Sequence, residues 1–165
     1  MRRTEIINQK IYSREALVRR IAQVRMAGKS ISFTNGCFDI LHRGHIASLS
    51  EAAAESDFLV VGVNSDASTK RLKGPGRPIN SEESRSILLA SLLMTDAVIV
   101  FDEDTPLELI LALKPDVLVK GGDYTIDQII GAKEVQEYGG RVVINPIVEG
   151  FSTTSTLEMI IKNYS

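Results

Sequence analysis

Some stretches of this chain are apolar at every successive position, without the polar alternation of a half-buried strand. Phe58-Leu-Val-Val-Gly-Val and Val117-Leu-Val are the clearest cases. A strand that is apolar on both faces has to be buried on both faces, which is typical of a parallel sheet covered by helices. The pattern therefore predicts an α/β protein built on a parallel sheet.

Short strands alternate with amphipathic segments along the whole chain. Five strands are predicted, at Ile31–Thr34, Phe58–Asn64, Ala97–Phe101, Val117–Lys120 and Arg141–Ile144. Helices are predicted at Ser13–Met26, Gly44–Ala54, Ser81–Leu93, Pro106–Leu113, Ile129–Tyr138 and Ser155–Lys162. This alternation predicts a doubly wound, open parallel sheet of about five strands, a Rossmann-like fold with helices on both faces.

In a sheet of this kind, ligands bind at the carboxyl ends of the strands, near the point where the strand order reverses. We therefore expect the loops after the first, second, fourth and fifth strands to converge on one crevice. The segment Ser65–Asn80 is predicted to be a long loop, and loops of that length are often functional.

The length of 165 residues fits a single domain, residues 1–165, in which residues 1–28 form an N-terminal helical extension. Ser13 is placed to cap the helix of this extension, and Gly28 is placed to end it. The net charge of -2 argues against a broad surface for nucleic acid or for an anionic membrane.

Cys37 is the one cysteine, so the chain forms neither an internal disulfide nor a cysteine zinc cluster, which suits a reducing compartment. The N-terminus turns polar at once and lacks the core of a signal peptide. The longest apolar runs are shorter than the ~18 residues of a membrane span. We expect a soluble, cytoplasmic protein that uses neither nucleic acid nor a membrane as a partner.

The residues that carry chemistry begin directly after the first strand. The run Thr34-Asn-Gly-Cys-Phe-Asp-Ile-Leu-His42-Arg-Gly-His45 contains both histidines of the chain. If His45 starts the following helix, both imidazoles flank a helix N-terminus, whose free N–H groups and partial positive charge bind anions. Gly44 would let a phosphate approach the backbone closely. The pair Asn35-Gly36 is predicted to be a tight turn that presents further N–H groups.

Imidazoles in that position can donate hydrogen bonds to phosphate oxygens whose charge grows during group transfer. Other interpretations stay open: the two histidines can be surface residues, one of them can cap the helix, or they can bind a metal, for which no third ligand is evident. A P-loop is absent, and no Gly-x-Gly-x-x-Gly follows the first strand.

Two further polar clusters follow predicted strands. The segment Lys70-Arg-Leu-Lys73-Gly-Pro-Gly-Arg77 carries four cations and is either a mobile clamp for phosphates or a solvated basic loop. Lys120, Gly121 and Asp123 follow the fourth strand: Lys120 could meet a phosphate and Asp123 a ribose hydroxyl, or the segment is a plain strand-to-helix turn.

A third cluster, Gly150-Phe-Ser152-Thr153-Thr154-Ser155, puts four hydroxyls at the start of the last helix. One hydroxyl suffices as a helix cap, and a second phosphate-binding helix terminus explains the surplus. Arg85 lies on the helix after the basic segment and is either a surface charge or a side chain that reaches inward.

Together these segments resemble the nucleotidyltransferase superfamily with the His-x-Gly-His signature. Within it, the chain is most similar to the adenylyltransferase domain of bacterial heptose 1-phosphate enzymes. The similarity lies in Phe33–His42, Val63–Gly74, Leu118–Tyr124 and Gly150–Thr154, in this order, and extends over nearly all of the chain from Ile31 onward. Such domains are often fused to a sugar kinase, and this chain looks like the stand-alone form.

The resemblance implies that ATP and D-glycero-β-D-manno-heptose 1-phosphate are converted to ADP-heptose and pyrophosphate, for the heptose of lipopolysaccharide. His42, His45, Thr34 and Lys73 would form the catalytic group, which stabilises charge on the α-phosphate. The residues implied to bind the nucleotide are Asn35, Gly36, Phe38, Asp39, Gly44, Arg85, Lys120, Gly121, Asp123, Ser152, Thr153 and Thr154.

Within that set, Ser152 and Thr153 would hold the β and γ phosphates, Gly121 and Asp123 would lie near the ribose, and Arg85 near the phosphates or the pocket wall. The family works by positioning and electrostatics, without a covalent nucleophile. Mg²⁺ would neutralise the triphosphate and be held mostly by phosphate and water, so no metal site made of protein side chains is predicted. The resemblance also implies a homodimer.

One departure concerns the nucleotide. Cytidylyltransferases for glycerol 3-phosphate usually carry Arg-Thr-Glu-Gly before Ser-Thr-Thr, whereas this chain has Ile147-Val-Glu-Gly. The missing arginine weakens a cytidylyltransferase assignment. The alternatives are a cytidylyltransferase for glycerol 3-phosphate or a related small phosphate, an FAD-forming enzyme, and a nucleotide-binding module without activity.

Overall fold

The computed structural model of the chain describes residues 5–146 and 150–164. Its centre is a sheet of five parallel strands in the order β3-β2-β1-β4-β5. The strands are β1 (Ile31–Gly36), β2 (Phe58–Asn64), β3 (Ala97–Phe101), β4 (Val117–Gly121) and β5 (Arg141–Asn145). All seven residues of β2 are buried, as the continuous apolar run predicts.

Helices cover both faces of this sheet. They are α1 (Ile6–Gln9), α2 (Arg14–Met26), α3 (Arg43–Ala54), α4 (Asp66–Lys73), α5 (Glu82–Ala90), α6 (Leu107–Leu113), α7 (Ala132–Glu137) and α8 (Thr153–Tyr164), with a 3-10 turn at Ile126–Gln128. The α2, α6 and α7 helices contribute to one apolar core, and α3 and α5 contribute to the other. The predicted doubly wound α/β fold is confirmed.

The strand order reverses at β1. This strand pairs with β2 on one side and with β4 on the other, so the chain first builds the β2–β3 half of the sheet and then crosses over to build the β4–β5 half. The connections that leave β1 and β4 turn to opposite sides of the sheet and leave a crevice at the carboxyl ends of these strands.

The N-terminal region belongs to the same core as the sheet. Leu17, Ile21 and Val24 of α2 are buried against it, and the Ser13 hydroxyl caps α2 by accepting from the N–H of Ala16, as predicted. Ahead of α2, the backbone of Lys10–Tyr12 runs parallel to β3 beside Val98. The N-terminal segment thus covers the edge strand of the sheet. No helix within the described ranges is long and apolar enough to span a membrane.

The prediction of a long loop at Ser65–Asn80 is wrong, because residues 66–73 form α4. Ser65 caps this helix by accepting a hydrogen bond from the N–H of Ser68 at 2.9 Å. The buried side chains of α4 are Ser68 and Thr69, so the helix has no apolar stripe. Hydrophobic periodicity, the signal that predicts the other helices, is therefore missing from this segment.

Three smaller predictions also need correction. Asn35-Gly36 is no turn, since it extends β1 and pairs with Gly62 and Val63 of β2. The helix predicted from Ile129 begins only at Ala132, because Gly131 has a left-handed backbone with φ of 88°. The last helix begins at Thr153, two residues before the predicted start.

Candidate active site

The carboxyl ends of the strands border a cleft of about 590 Å³, and a smaller cavity of about 230 Å³ adjoins it. The cleft lies between the segments after β1, β2, β3 and β4 and the start of α8, and the smaller cavity lies beside α3. The residues that line the cleft are Asn35, Gly36, Cys37, Phe38, Asp39, His42, His45, Asn64, Leu72, Lys73, Arg77, Asp104, Pro106, Lys120, Tyr124, Ile130, Phe151, Ser152, Thr153 and Thr154.

Two stacked imidazoles stand at the start of α3. His42 is the N-cap residue of this helix and carries an extended backbone, so the helix begins at Arg43 instead of His45. The rings of His42 and His45 lie 3.9 Å apart between centroids with an interplanar angle of 21°. Both rings line the cleft. The first turn of α3 therefore presents two imidazoles beside its free N–H groups.

Both imidazoles are held in the neutral form. Burial lowers the pKa of His42, and burial together with the neighbouring charge of His42 lowers the pKa of His45 to about 4. The Nδ1 atoms of both rings are buried and have no hydrogen-bond partner within the described residues. No carboxylate in the described part of the chain bonds to either ring to stabilise a positive charge.

Neighbouring residues fix the orientation of the rings. The Phe38 ring meets His45 edge to face at 5.3 Å between centroids, and Phe151 stacks beside His42 at 6.5 Å. Phe38 has a left-handed backbone with φ of 49°, a strained conformation that clusters at functional sites. A Cβ at Gly44 would lie 3.1 Å from the His42 ring, so the glycine makes room for this imidazole.

Cations line the same cleft. Lys120, next to the last residue of β4, is partly buried, and its ammonium lies 3.4 Å from the Oδ1 of Asn35. Burial lowers its pKa, and the charge of the nearby Lys73 lowers it further, whereas Cys37 raises it. A partly buried cation without a carboxylate partner in the described residues stabilises an anion that enters the cleft.

Two of the four hydroxyl side chains at the start of α8 form the cap of this helix. Ser152 accepts from the N–H of Ser155 at 3.0 Å, and the Ser155 hydroxyl bonds back to Ser152, so these two residues close the helix end. Thr153 bonds at 3.4 Å to the carbonyl of Ile40, in the segment that leads to the histidines. Ser152, Thr153 and Thr154 line the cleft. The two hydroxyls that the cap does not use, those of Thr153 and Thr154, thus belong to residues that line the cleft.

A buried hydrogen-bond network supports the histidine segment from behind. Arg85 is fully buried; it donates to the carbonyls of Cys37 and Asn80 at 2.5 and 3.0 Å and to the Oδ1 of Asp66 at 2.7 Å. Its guanidinium thereby ties the segment after β1 to α4 and to the segment before α5. The histidines follow the segment that Arg85 bonds through Cys37, and Lys73 ends the helix α4 that Arg85 bonds through Asp66. The guanidinium therefore helps to fix the positions of the imidazoles relative to Lys73.

The cytidylyltransferase-like family matches residues 33–161 of the chain. The chain belongs to this family of His-x-Gly-His nucleotidyltransferases. The predicted superfamily is therefore confirmed, and the signature residues are His42 and His45 of the stacked pair.

The curated relatives of this nucleotidyltransferase include the bifunctional protein HldE of several bacteria. The chain is 55% identical to that of Mesorhizobium japonicum over 147 residues, which cover 89% of the chain and 30% of the relative. It is 52% identical to that of Syntrophotalea carbinolica over 157 residues, which cover 95% of the chain and 32% of the relative. The chain thus spans about a third of the length of the curated relatives it matches.

Two solved structures are similar to this nucleotidyltransferase. A lipopolysaccharide core biosynthesis protein from Thermoplasma volcanium superposes with a TM-score of 0.58 at 34% identity, over 73% of this chain and 98% of that one. A pantoate-beta-alanine ligase from Francisella tularensis gives a TM-score of 0.58 at 14% identity, over 89% of this chain and 72% of that one, and shares the fold.

The structure brings most of the predicted site residues of this nucleotidyltransferase together. Eleven of them line the cleft: His42, His45, Lys73, Asn35, Gly36, Phe38, Asp39, Lys120, Ser152, Thr153 and Thr154. Thr34 and Gly121 line the smaller cavity. Arg85 supports the site from behind, Gly44 accommodates an imidazole, and Asp123 is exposed and lines neither cavity. The segment Ile147–Glu149, on which the cytidylyltransferase comparison depends, lies outside the described residues.

Several residues that line the cleft are not singled out by the sequence patterns. Asn64 ends β2 and has the same signal that identifies Lys120, a polar side chain at the carboxyl end of a buried strand. Arg77 is marked only as one cation of the basic segment. Asp104 and Tyr124 also line the cleft; Tyr124 ends one of the segments that carry the family resemblance, and no motif in the sequence marks Asp104.

The low pKa of the imidazoles is directly measurable, since the chain has two histidines. We expect nuclear magnetic resonance titration of the ligand-free protein to show His45 titrating near pH 4, and His42 below its ordinary 6.5. A lowered folded-state pKa favours the neutral ring, so this contribution to stability is present above pH 6.5 and is lost as the pH falls toward 4. The variant His42→Gln assigns the two signals. A His45 that titrates at 6.5 or above would contradict the burial of its ring.

Proposed function

We propose that this chain is a sugar-phosphate adenylyltransferase that converts ATP and D-glycero-β-D-manno-heptose 1-phosphate to ADP-heptose and pyrophosphate. The observation that carries the proposal is the stacked pair of neutral imidazoles at the start of α3, on the wall of a cleft that is also lined by Lys73, Lys120 and the α8 hydroxyls. Neutral donors and cations on one cleft suit a ligand that carries several phosphates.

The relatives support the choice of substrate. HldE proteins are described as bifunctional, and the similar Thermoplasma protein is described as acting in lipopolysaccharide core biosynthesis. The chain covers about a third of HldE, which suits one of two activities. The resemblance of Leu118–Tyr124 and Gly150–Thr154 to heptose 1-phosphate enzymes favours the adenylyltransferase activity. A cytoplasmic homodimer that supplies heptose for lipopolysaccharide stays part of this proposal.

The proposed reaction is an in-line displacement at the α-phosphorus of ATP. A phosphate oxygen of the sugar phosphate attacks this phosphorus, a new P–O–P bond forms, and the bond to the β-phosphate breaks so that pyrophosphate leaves. Negative charge develops on the α-phosphate oxygens and on the leaving oxygen during this step. No side chain needs to form a covalent bond, so the contribution of the protein is positioning and charge stabilisation.

The imidazoles of His42 and His45 meet the charge on the α-phosphate. Because their Nδ1 atoms are buried without a partner in the described residues, the tautomer that carries its proton on Nε2 avoids a buried unpaired donor. Each ring then offers an N–H to a phosphate oxygen. A neutral donor does not bind the ground-state anion as tightly as an imidazolium, which leaves more stabilisation for the transition state.

The two lysines and α8 complete the phosphate site. Lys73 and Lys120 supply positive charge that the described carboxylates do not neutralise, and Thr34 would support the same charge from the smaller cavity. Ser152 and Thr153 would hold the β and γ phosphates at the N-terminus of α8. Within the described residues, no group of three or more His, Cys, Asp or Glu side chains converges as a metal cage. As the family resemblance implies, Mg²⁺ would enter with the triphosphate, which it neutralises.

A matrix of nucleotides and phosphorylated acceptors tests the proposed reaction. ATP with heptose 1-phosphate should release pyrophosphate, whereas ATP alone should not. Replacing ATP by CTP, or the sugar phosphate by glycerol 3-phosphate or FMN, should reduce the rate. Coupled detection of pyrophosphate measures all combinations. Binding of ATP by calorimetry without turnover in any combination would instead identify a nucleotide-binding module.

Removing one imidazole tests the catalytic assignment. We expect His45→Ala to lower turnover by roughly 10²–10³, the scale for the loss of one preorganised donor to a developing charge. The control is Glu51→Ala, on the exposed side of the same helix α3, which should leave turnover unchanged. Thermal unfolding of both variants reports whether the fold is kept. A His45→Ala variant that is folded and fully active would place the chemistry elsewhere.

A further inference from the structure

Arg77 stands out among the four cations of the basic segment. Its guanidinium is mostly buried, with 17% of the side chain exposed, and it lines the cleft. Arg71 points away and bonds to Asp102 and Asp104, and Lys70 is exposed. Of these cations, Lys73 and Arg77 therefore reach the cleft, and Arg77 is the more firmly held of the two.

The support for Arg77 is the carboxylate of Asp39, whose side chain is 1% exposed. One oxygen of this carboxylate accepts from the Nε of Arg77. The other accepts from the backbone N–H groups of Ile79 and Asn80 at 2.8 and 2.9 Å. The buried carboxylate thus holds three hydrogen bonds within the protein, which leaves it little capacity for a nucleotide. Its bonds fix the plane of the Arg77 guanidinium.

An arginine held through Nε keeps its two terminal nitrogens for another ligand. Within residues 5–146 and 150–164, the terminal nitrogens of Arg77 donate to no acceptor of the protein. A planar fork of N–H groups on the wall of a cleft matches a phosphate, which it binds through two parallel hydrogen bonds. Because Asp39 fixes the fork before the ligand arrives, little side-chain entropy is lost on binding.

The surroundings of Arg77 favour the phosphate of the acceptor over the triphosphate. Asn64, which ends β2, and Asp104, which follows β3, line the same cleft, and one oxygen of the Asp104 carboxylate is already bonded to the Nε of Arg71 at 2.6 Å. The other oxygen of this carboxylate and the Oδ1 of Asn64 keep lone pairs that can accept hydrogen bonds from sugar hydroxyls, whereas a polyphosphate chain has no donor to offer them. A phosphate next to hydroxyl groups is the chemistry of a phosphorylated sugar.

We propose that Arg77, positioned by Asp39, binds the phosphate of the sugar-phosphate acceptor. The inference rests on the proposed function, and it adds a binding residue for the second substrate. Asp39 is then a positioning residue: it acts through Arg77 and touches neither substrate. Through the same bonds it ties the segment that carries the histidines to the segment that carries Arg77.

Calorimetry separates the two phosphate ligands. The probes are a non-hydrolysable ATP analogue, and heptose 1-phosphate added to the protein saturated with that analogue. We expect Arg77→Gln to weaken binding of the sugar phosphate about 10- to 100-fold, the scale of a charge-assisted bidentate contact, and to leave binding of the analogue within about twofold. Arg77→Lys keeps the charge but loses the fork, and should recover only part of the affinity.

Lys70→Gln is the matched control, since it removes one charge from the same segment at an exposed side chain, and both affinities should stay unchanged. Asp39→Asn should weaken the sugar phosphate and raise the KM for it more than it lowers kcat, which a general loss of structure would not do. Thermal unfolding shows whether Arg77→Gln and Asp39→Asn fold. If either does not, the assignment is tested by the binding of the sugar phosphate to Arg77→Lys.

Each outcome has a defined meaning. Weaker binding of the ATP analogue by Arg77→Gln, or no change for either ligand, overturns the assignment of Arg77. A wild-type protein that binds no heptose 1-phosphate overturns it as well. A wild-type protein that binds the sugar phosphate through Arg77 but releases no pyrophosphate leaves the binding residue in place and contradicts the proposed reaction.

Discussion

The reversal of strand order at β1 determines where this protein can hold a ligand. With β2 and β3 on one side and β4 and β5 on the other, the chain leaves β1 and β4 toward opposite faces of the sheet. Both faces of the sheet are covered by apolar cores. Polar side chains that line a shared cleft therefore lie where the strands end. The histidines, Lys120, Asn64 and Arg77 all lie at this edge.

The two halves of the sheet contribute different chemistry to the cleft. The start of α3 and the start of α8 offer donors from imidazoles, hydroxyls and free backbone N–H groups. The segments after β2 and β3 offer Lys73, Arg77 and oxygen acceptors. In the proposed mechanism, the first group holds the triphosphate together with Lys73, and Arg77 with the oxygen acceptors holds the sugar phosphate. The two substrates then meet at the imidazole pair, where the α-phosphate has to be attacked.

Burial sets the protonation state of the site before any ligand arrives. The stacked rings of His42 and His45 shield each other from water, and the lowered pKa values follow from that shielding. Two charged rings at 3.9 Å would also repel each other, which favours neutrality. A site that holds neutral donors beside partly buried cations can stabilise added phosphate charge without first releasing a proton.

Residues with a regular pattern could be predicted from the sequence, and residues that act through tertiary contacts could not. The apolar runs predicted all five strands, and the position of His42 and His45 after β1 predicted a helix start with anion-binding capacity. The helix α4 was not predicted, because its buried side chains are Ser68 and Thr69 and give no hydrophobic periodicity. Arg85 and Asp39 were assigned to the nucleotide from the resemblance alone, because a sequence does not show that both side chains are bonded behind the cleft.

A crystal structure with a non-hydrolysable ATP analogue would show directly whether the two histidines meet the phosphates. We expect the phosphate chain to lie against the start of α3, with oxygens of the α-phosphate within hydrogen-bond distance, about 3 Å, of both imidazoles. We also expect the terminal phosphates to reach Ser152 and Thr153. An analogue bound outside the cleft, or with both imidazole rings turned away from its phosphates, would contradict the role of these two histidines in the chemistry.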